Sequence, residues 1–504
     1  MPEEQKQEEK KDEKKKDEYP LDVEKEPVVT EHSIEIDGQK IEYTVTAGML
    51  PIRNETGSEV EAGVFFVAYT KKQTEDARSD SGNPKSKIQN PKSGRPLMFS
   101  FNGGPGSSSV WLHLGAVGPK RVEMLEDGGL PPAPYTLVDN RFTWFTETDL
   151  VFIDPVGTGY SRPKDKELGK KFWGLKGDIE SVGEFIRLYL SRYDRWASPL
   201  FLVGESYGTT RASGLAGHLI ERGIAFNGIL LVSSILNFLT ARWFKGNDLP
   251  NILFLPTYAA TAWYHGKVDK KYRKDLQGML REVEAFTMGP YSAALAKGDN
   301  LPAKERQTII GRLAEFTGLS KRYIEQSNLR IEIMGFCKEL LRDEGRTVGR
   351  LDSRFKGIDP RLTAERPEFD PSMTAIRPPY TAMFNDYVSR VLGYKTDVPY
   401  QILGGLFETW DWGSAGDGMP DVSESMRRAF ARNPHMKLFV ASGYFDLATP
   451  YFATKHTLAH MGLDAEVKGN ITTAEFEAGH MMYIHAESLR KLKTDVTAFI
   501  RAAL

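Results

Sequence analysis

A serine between two glycines stands where it could act as a nucleophile. The motif GESYG (204–208) directly follows the apolar run PLFLV and directly precedes a stretch with helical periodicity. Glycines two residues to either side of Ser206 permit a tight strand-to-helix turn, from which the hydroxyl points out over a sheet. The setting therefore predicts a reactive serine, with an ordinary turn as the alternative.

A base and an acid that could activate this serine follow later in the chain. His480 lies in a loop after a predicted strand, and Asp446 lies in the loop after the apolar run KLFVAS. A serine hydroxyl is a poor nucleophile at neutral pH, so it needs a base within hydrogen-bond reach and a carboxylate that orients this base. The order serine, acid, histidine is the one expected with such a turn. We therefore predict a triad of Ser206, Asp446 and His480.

A glycine-rich loop could stabilise the negative charge that develops during such a reaction. Residues 102–106 read NGGPG and directly follow the apolar run PLMFSF. An oxyanion needs N–H donors from the residue after the nucleophile, here Tyr207, and from an earlier loop. Three glycines in five residues let the backbone approach a substrate carbonyl closely. We therefore expect this loop to complete an oxyanion hole.

The elements that must position these residues indicate an α/β protein. Alternating runs from about residue 31 predict an antiparallel entry to a sheet, followed by a polar loop over 71–95. Short, nearly continuous apolar runs then alternate with helical stretches; they are 96–101, 149–154, 199–204, 227–234 and 436–442. Such runs are typical of a mostly parallel sheet that is covered by helices on both faces.

The same rhythm divides the chain into four parts. Residues 1–27 are predicted to be a disordered tail, because residues 3–18 are almost entirely charged. Residues 28–238 and 433–504 are predicted to be the two parts of one sheet domain. Between them, 239–432 is predicted to be a helical cap insertion, because helical periodicity dominates there, as in 270–286 and 303–319.

Composition excludes several classes of protein. The 66 Lys and Arg residues nearly balance the 68 Asp and Glu residues, so the net charge of −2 gives no overall field to hold nucleic acid. No apolar run approaches the roughly 20 residues of a membrane-spanning helix. The single cysteine, Cys337, excludes an intrachain disulfide and a cysteine-rich zinc site. We expect no metal, no cofactor, no nucleic acid and no integral membrane segment.

The beginning of the sequence bears on the compartment. It has no n-region and h-region pattern of a secretory signal. As written, the sequence therefore predicts a cytoplasmic protein, or a periplasmic or secreted one if an upstream signal is missing.

The motifs together resemble those of the serine carboxypeptidase family. The resemblance rests on FNGGPGSSS (101–109) with VGP (117–119), FIDPVGTGYS (152–161), GESYG, and GYFDLATP (443–450) with AGHM (478–481). It implies an α/β-hydrolase fold with a helical insertion, and removal of single residues from the C-terminus of a peptide substrate through an acyl-enzyme. It also implies that Ser206 is the nucleophile, Asp446 the acid and His480 the base, with the N–H groups of Gly104 and Tyr207 forming the oxyanion hole.

The resemblance further implies which residues bind the substrate. Asn102 and Glu205 match two members of the family's network for the terminal carboxylate, and Gly103 and Met481 are expected beside the substrate. The other two positions of the network, a tryptophan and a second glutamate in the family, are Ser100 and Ala116 here.

These departures leave Glu205 without its carboxylic partner. An ionised Glu205 would repel a substrate carboxylate, so either it is protonated at working pH or a nearby cation compensates for it. Arg211, five residues after Ser206, could be this cation or could be a structural helix residue. Ser107 replaces the family's cysteine after NGGPG, which suggests a bacterial-type member without disulfides.

Three functions are therefore expected, in this order. The leading one is a serine-type carboxypeptidase. The second is an esterase, amidase or acyltransferase that uses the same triad, suggested by Ser100 and Ala116. The third is a catalytically silent binding module, although no member of the triad is missing from the sequence.

Overall fold

The computed structural model describes residues 19, 21–72, 94–416 and 418–504. Most of the predicted disordered tail and of the predicted polar loop lies outside these residues. The predicted strands within them are present, and their bounds are given below.

The strands of the described residues form one large sheet and two small ones. They are β1 (Val28–Ile36), β2 (Gln39–Arg53), β3 (Val60–Lys71), β4 (Leu97–Phe101), β5 (Lys120–Val122), β6 (Leu137–Asp139), β7 (Asp149–Ile153), β8 (Arg162–Pro163), β9 (Leu200–Glu205), β10 (Gly228–Val232), β11 (Arg346–Val348), β12 (Lys356–Ile358), β13 (Lys437–Gly443) and β14 (Ile471–Phe476).

The large sheet has the order β1-β2-β3-β7-β4-β9-β10-β13-β14, and β8 pairs with β3. The first three strands are antiparallel, and β7, β4, β9, β10, β13 and β14 are parallel to one another. Every residue of β4, β7, β9 and β10 is buried, as their continuous apolar sequences predict. Parallel strands direct their carboxyl ends to one edge, where β9, β13 and β14 lead into the loops of the predicted triad.

The described residues also form α-helices. They are α1 (Val110–Leu112), α2 (Lys166–Phe172), α3 (Leu175–Arg192), α4 (Tyr207–Ile220), α5 (Leu249–Tyr264), α6 (Leu276–Phe286), α7 (Ser292–Lys297), α8 (Ala303–Thr317), α9 (Lys321–Gln326), α10 (Ile333–Glu339), α11 (Pro371–Asp386), α12 (Ser423–Arg432), α13 (Tyr451–Ala459), α14 (Ala465–Lys468) and α15 (Ala486–Ala502). The strand that precedes His480 in the sequence is β14, which starts at Ile471 shortly after α14.

Alternate residues of the central strands point to two separate cores. On one face, Phe152 and Val203 pack with apolar residues of α11 and α15. On the other face, Val151 and Leu202 pack with residues of α3, α4 and α12. This two-residue period places helices on both faces of the sheet, as predicted.

The predicted insertion over 239–432 divides into two parts in the structure. Helices α5 to α10 build most of a third apolar cluster, which contains the buried Cys337 and is completed by Phe445, Leu447 and Tyr451 after β13. In contrast, α11 and α12 pack on the sheet domain; a Cβ at Gly217 of α4 would lie 2.9 Å from the carbonyl oxygen of Ser425 in α12. The apolar residues of these two helices pack in the two cores beside the sheet. The bounds of the predicted insertion stay a prediction. No helix in the described part of the chain is long and apolar enough to cross a membrane.

Candidate active site

Ser206 occupies the turn between β9 and α4. Its φ of 59° and ψ of −130° lie in a region that L-residues rarely adopt. Such strain is typical of a nucleophile at a strand-to-helix elbow. The flanking glycine is required, because a Cβ at Gly204 would lie 2.1 Å from the carbonyl oxygen of Gly208. The hydrogen bond from the Ser206 N–H to the Val232 oxygen, 3.0 Å long, ties this turn to β10.

Asp446 and His480 meet at the carboxyl ends of β13 and β14. The Nδ1 atom of His480 lies 2.7 Å from Oδ2 of Asp446, and both side chains are buried. Asp446 also accepts hydrogen bonds from the N–H groups of Ala448 and Thr449, at 2.7 and 3.0 Å, and from the Thr449 hydroxyl at 2.7 Å. These donors hold the carboxylate in place, so it can fix the histidine with Nδ1 protonated and Nε2 free as a base.

The charge of Asp446 sets the basicity of His480. Burial alone disfavours the imidazolium, but the carboxylate and its hydrogen bond outweigh burial and raise the pKa of His480 above its usual 6.5. A histidine with a raised pKa accepts a proton readily and is stabilised once it carries the charge. This is the property that a base needs when it withdraws a proton from a serine hydroxyl.

A short segment after β11 braces the loops that carry Asp446 and His480. The N–H of His480 donates to the Leu351 oxygen at 2.6 Å, and the N–H of Leu447 donates to the Arg350 oxygen at 3.1 Å. The Asp352 carboxylate accepts from the Gly479 N–H at 3.0 Å. Nothing in the local sequence pattern of this segment signals the contact, because the partners lie about a hundred residues downstream.

Asp352 is itself held by a buried ion pair. Its carboxylate receives three hydrogen bonds from the guanidinium of Arg354, the shortest of 2.6 Å. The approach to the histidine loop is so close that a Cβ at Gly479 would lie 2.5 Å from Cα of Asp352. The position of His480 therefore depends on a segment within the predicted insertion.

The glycine-rich loop lies directly against the elbow. A Cβ at Gly103 would lie 2.4 Å from the Tyr207 nitrogen, and Gly104 has a φ of 102°. Only glycine tolerates this contact and this conformation. Within the described residues, the N–H groups of Gly104 and Tyr207 donate to no other atom. Two free donors on adjoining backbones are what an oxyanion hole requires.

Glu205 lies beside the nucleophile in a network with Asn102 and Tyr483. The Asn102 amide donates to Oε1 of Glu205 at 2.9 Å, and the Tyr483 hydroxyl donates to Oε2 at 2.5 Å. Burial raises the pKa of Glu205 to about 7, although both hydrogen bonds and the nearby His480 favour the carboxylate. Sequence reasoning missed Tyr483, whose only signal is its position in the motif after His480.

The two positions that depart from the family supply no carboxylate ligand. Ser100 is buried in β4, and its hydroxyl has no hydrogen-bond partner in the described residues. Ala116 is also buried, and its carbonyl accepts from the Asn140 amide at 2.8 Å. Neither residue lines the cavity at Ser206. Glu205 therefore has a tyrosine instead of a second carboxylic acid as its partner.

Arg211 is not the cation that faces a substrate. Its guanidinium is 1% exposed, pairs with Asp178 at 2.8 Å and donates to the Asn102 carbonyl at 2.6 Å. It does not line the cavity at Ser206. Of the two alternatives for Arg211, these contacts favour the structural one, because its guanidinium is occupied by Asp178 and by the backbone that carries Asn102.

A cavity of about 500 Å³ opens at Ser206. The predicted residues that line it are Asn102, Gly103, Gly104, Glu205, Ser206, Tyr207, His480 and Met481. Much of the remaining wall is aromatic or aliphatic and includes Phe238, Trp243, Phe407 and Trp412. Two cationic residues that sequence reasoning did not single out, Arg242 and Arg350, also line it.

Comparison with solved structures identifies the fold. The crystal structure of KEX1(delta)P, a prohormone-processing carboxypeptidase from Saccharomyces cerevisiae, aligns with a TM-score of 0.52 at 17% identity, over 91% of each chain. Together with the sheet order and the helices on both faces, this likeness confirms the predicted α/β-hydrolase fold.

Sequence relatives match over shorter segments. Serine carboxypeptidase-like 36 of Arabidopsis thaliana is 32% identical over 148 residues, which are 28% of this chain and 29% of the relative. The pheromone-processing carboxypeptidase KEX1 of Saccharomyces cerevisiae is 32% identical over 171 residues, which are 32% of this chain and 20% of the relative. The chain thus matches a third or less of the length of these relatives.

The family model described as serine carboxypeptidase matches residues 85–339. This match spans half of the chain and contains the glycine-rich loop, Glu205 and Ser206. It ends before Asp446 and His480, whose roles remain predictions. The protein belongs to the serine carboxypeptidase family.

Proposed function

We propose that the protein is a serine-type carboxypeptidase with Ser206, Asp446 and His480 as its triad. One observation carries this proposal: Ser206 and His480 line one cavity, and His480 is held by Asp446 at 2.7 Å. The raised pKa of His480 supports a role as base. The single buried cysteine supports a bacterial-type branch whose loops are held without disulfides.

The reaction would proceed in two halves. His480 takes the proton of the Ser206 hydroxyl as the serine oxygen bonds to the scissile carbonyl carbon. The protonated His480 then gives this proton to the leaving amine, so the C–N bond breaks and an acyl-enzyme remains. A water molecule attacks the ester in the same way, losing its proton to His480, which returns it to the Ser206 oxygen. The N–H groups of Gly104 and Tyr207 would stabilise the oxyanion in both halves.

Recognition of the terminal carboxylate is proposed for Asn102 and Glu205. A pKa of about 7 leaves Glu205 largely protonated in mildly acidic solution. A neutral carboxylic acid can donate a hydrogen bond to a substrate carboxylate, whereas an ionised one repels it. Asn102 is fixed for this role, because its Oδ1 accepts the N–H of Leu112 at 3.0 Å.

Stepwise digestion of defined peptides tests the proposal. We expect mass spectrometry to show loss of single residues from the C-terminus. In Ser206→Ala we expect kcat to fall by a factor of about 10⁶. The small change from hydroxyl to methyl is expected to preserve the fold, which circular dichroism would check. Internal cleavage, or near-normal activity of Ser206→Ala, would reject the assignment.

An esterase, amidase or acyltransferase is the second candidate. It is favoured by Ser100 and Ala116, which leave half of the family's carboxylate network unfilled, and by the largely apolar cavity. A blocked dipeptide, its C-terminal amide and a simple ester distinguish the candidates. Equal hydrolysis of the acid and amide forms would favour the second candidate.

A silent binding module is the remaining alternative. An organophosphonate should label Ser206 in the wild-type protein and leave Ser206→Ala unlabelled. A folded wild-type protein that fails to react would support the silent module.

A further inference from the structure

Two arginines face the cavity without a carboxylate to neutralise them. Arg242 follows β10 and Arg350 follows β11, and both line the cavity together with Ser206. In the described residues, neither guanidinium is paired with an acidic side chain. Among the described residues that line the cavity, Glu205 is the sole acidic one. The cavity therefore carries an excess of positive charge.

Arg242 is held in place by aromatic rings. Its guanidinium carbon lies 4.6 Å from the ring centroid of Trp412, 5.4 Å from that of Phe238 and 5.9 Å from that of Phe407. The side chain is half-buried. Contact with three aromatic rings restrains the guanidinium, and none of its N–H groups donates to an atom of the described residues, so they are available for an oxygen ligand.

Arg350 adds the second charge from the insertion. Its side chain is exposed, and its charge lies near enough to lower the pKa of Arg242, after the larger effect of burial. Its backbone is anchored by the N–H of Leu447, next to the predicted acid. Two like charges that converge on one cavity repel each other, and an anionic ligand would relieve this repulsion.

We propose that Arg242 and Arg350 form a subsite for a carboxylate of the substrate. The carboxylate has two possible sources: an acidic side chain next to the scissile bond, or the terminal carboxylate itself. The planar guanidinium forks are suited to either, because they bind carboxylates with two parallel hydrogen bonds. This inference rests on the proposed function for the identity of the substrate, but not for the presence of the subsite.

Binding to the inactive Ser206→Ala protein tests the subsite independently of catalysis. Four blocked dipeptides form the test set: benzyloxycarbonyl-Glu-Leu, its Gln counterpart, and the C-terminal amides of both. Their dissociation constants are measured by calorimetry for the Ser206→Ala protein and for double variants that also carry Arg350→Gln or Arg242→Gln. Arg322→Gln is the matched control, because Arg322 is an exposed arginine of α9 outside the cavity.

The pattern of losses identifies the source. If the side chain is bound, each arginine variant weakens the Glu peptides about fivefold or more and leaves the Gln peptides unchanged. If the terminal carboxylate is bound, the arginine variants lose affinity for both free-acid peptides and keep their affinity for both amides. Equal affinities of the variants and the control for all four peptides would overturn the proposal. The exposed Arg350 provides this test even if Arg242→Gln fails to fold.

A failure of the proposed function would be seen separately. If the wild-type protein hydrolyses none of the four peptides, the carboxypeptidase assignment fails, while the calorimetric comparison still decides the subsite. As a further check, Arg350→Glu should reverse a side-chain preference and favour benzyloxycarbonyl-Lys-Leu over the Glu peptide. An unchanged preference in Arg350→Glu would contradict a side-chain subsite.

Discussion

Replacing Glu205 by glutamine isolates the part of the site that would read the substrate carboxylate. Glutamine has nearly the shape of a protonated glutamic acid, and it cannot ionise to a carboxylate. In Glu205→Gln the side-chain oxygen can still accept from Asn102, and its amide can donate to the Tyr483 oxygen. We therefore expect the variant, at every pH, to bind substrate as the wild-type protein does at acidic pH.

The size of the effect follows from the buried position of Glu205. Burial moves its pKa from the usual 4.5 to about 7. Above pH 7, kcat/KM of the wild-type protein for free-acid peptides should fall about tenfold per pH unit, since the protonated fraction falls at that rate. Glu205→Gln should keep its kcat/KM up to about pH 9. The fall at low pH, which reports protonation of His480, should remain in both proteins.

Stability should change with pH in the same sense. Between pH 4.5 and 7 the unfolded chain releases the proton of Glu205 while the folded protein retains it, so stability is lost as pH rises through this window. At about 1.4 kcal/mol per pKa unit, the full loss above pH 7 is about 3 kcal/mol. Thermal unfolding of Glu205→Gln should therefore occur at a higher temperature than that of the wild type at pH 8, with little difference at pH 4.

The assay is kcat/KM between pH 5 and 9 for a blocked dipeptide and for its C-terminal amide. A fall above pH 7 that persists in Glu205→Gln would refute the role of Glu205, and an equal fall with the amide would refute its action on the carboxylate. Tyr483→Phe is the matched control. It removes one hydrogen bond that favours the ionised form, so it should raise the pKa of Glu205 and move the fall to higher pH.

Three further substitutions test the surrounding geometry. Gly103→Ala should lower kcat at least about a hundredfold, because its Cβ would lie 2.4 Å from the Tyr207 nitrogen of the proposed oxyanion hole; stopped-flow acylation would measure this. Asp352→Asn should lower kcat about tenfold and leave KM nearly unchanged, because it loosens the brace on the Gly479 loop. Arg211→Gln should destabilise the fold by about 3 kcal/mol, because it leaves a buried carboxylate unpaired; denaturant unfolding would measure this.

Each of these results has a contrary outcome. Normal acylation in Gly103→Ala would remove that loop from the oxyanion hole. A change of KM alone in Asp352→Asn would mean that the brace acts on substrate binding instead of on the triad. A stable Arg211→Gln with impaired binding of free-acid peptides would restore a direct role for Arg211 in the site.

The sequence determined the features that depend on neighbouring residues. Continuous apolar runs predicted the parallel strands, because a strand buried on both faces needs apolar residues throughout. The glycines around Ser206 and in NGGPG predicted their turns, because a close backbone approach excludes any Cβ. Asp446 and His480 followed from their positions after strands, since parallel strands bring such loops to one edge.

Only the tertiary structure decided which side chains complete the site. Tyr483 and Glu205 are 278 residues apart, yet they share a hydrogen bond, and Arg211 is taken out of the cavity by Asp178 on another helix. Arg350 enters the cavity wall from the insertion. The secondary-structure propensity of a local segment carries no information on such contacts. They form only when two layers of the fold pack together, and the packing of the whole chain decides which partners meet.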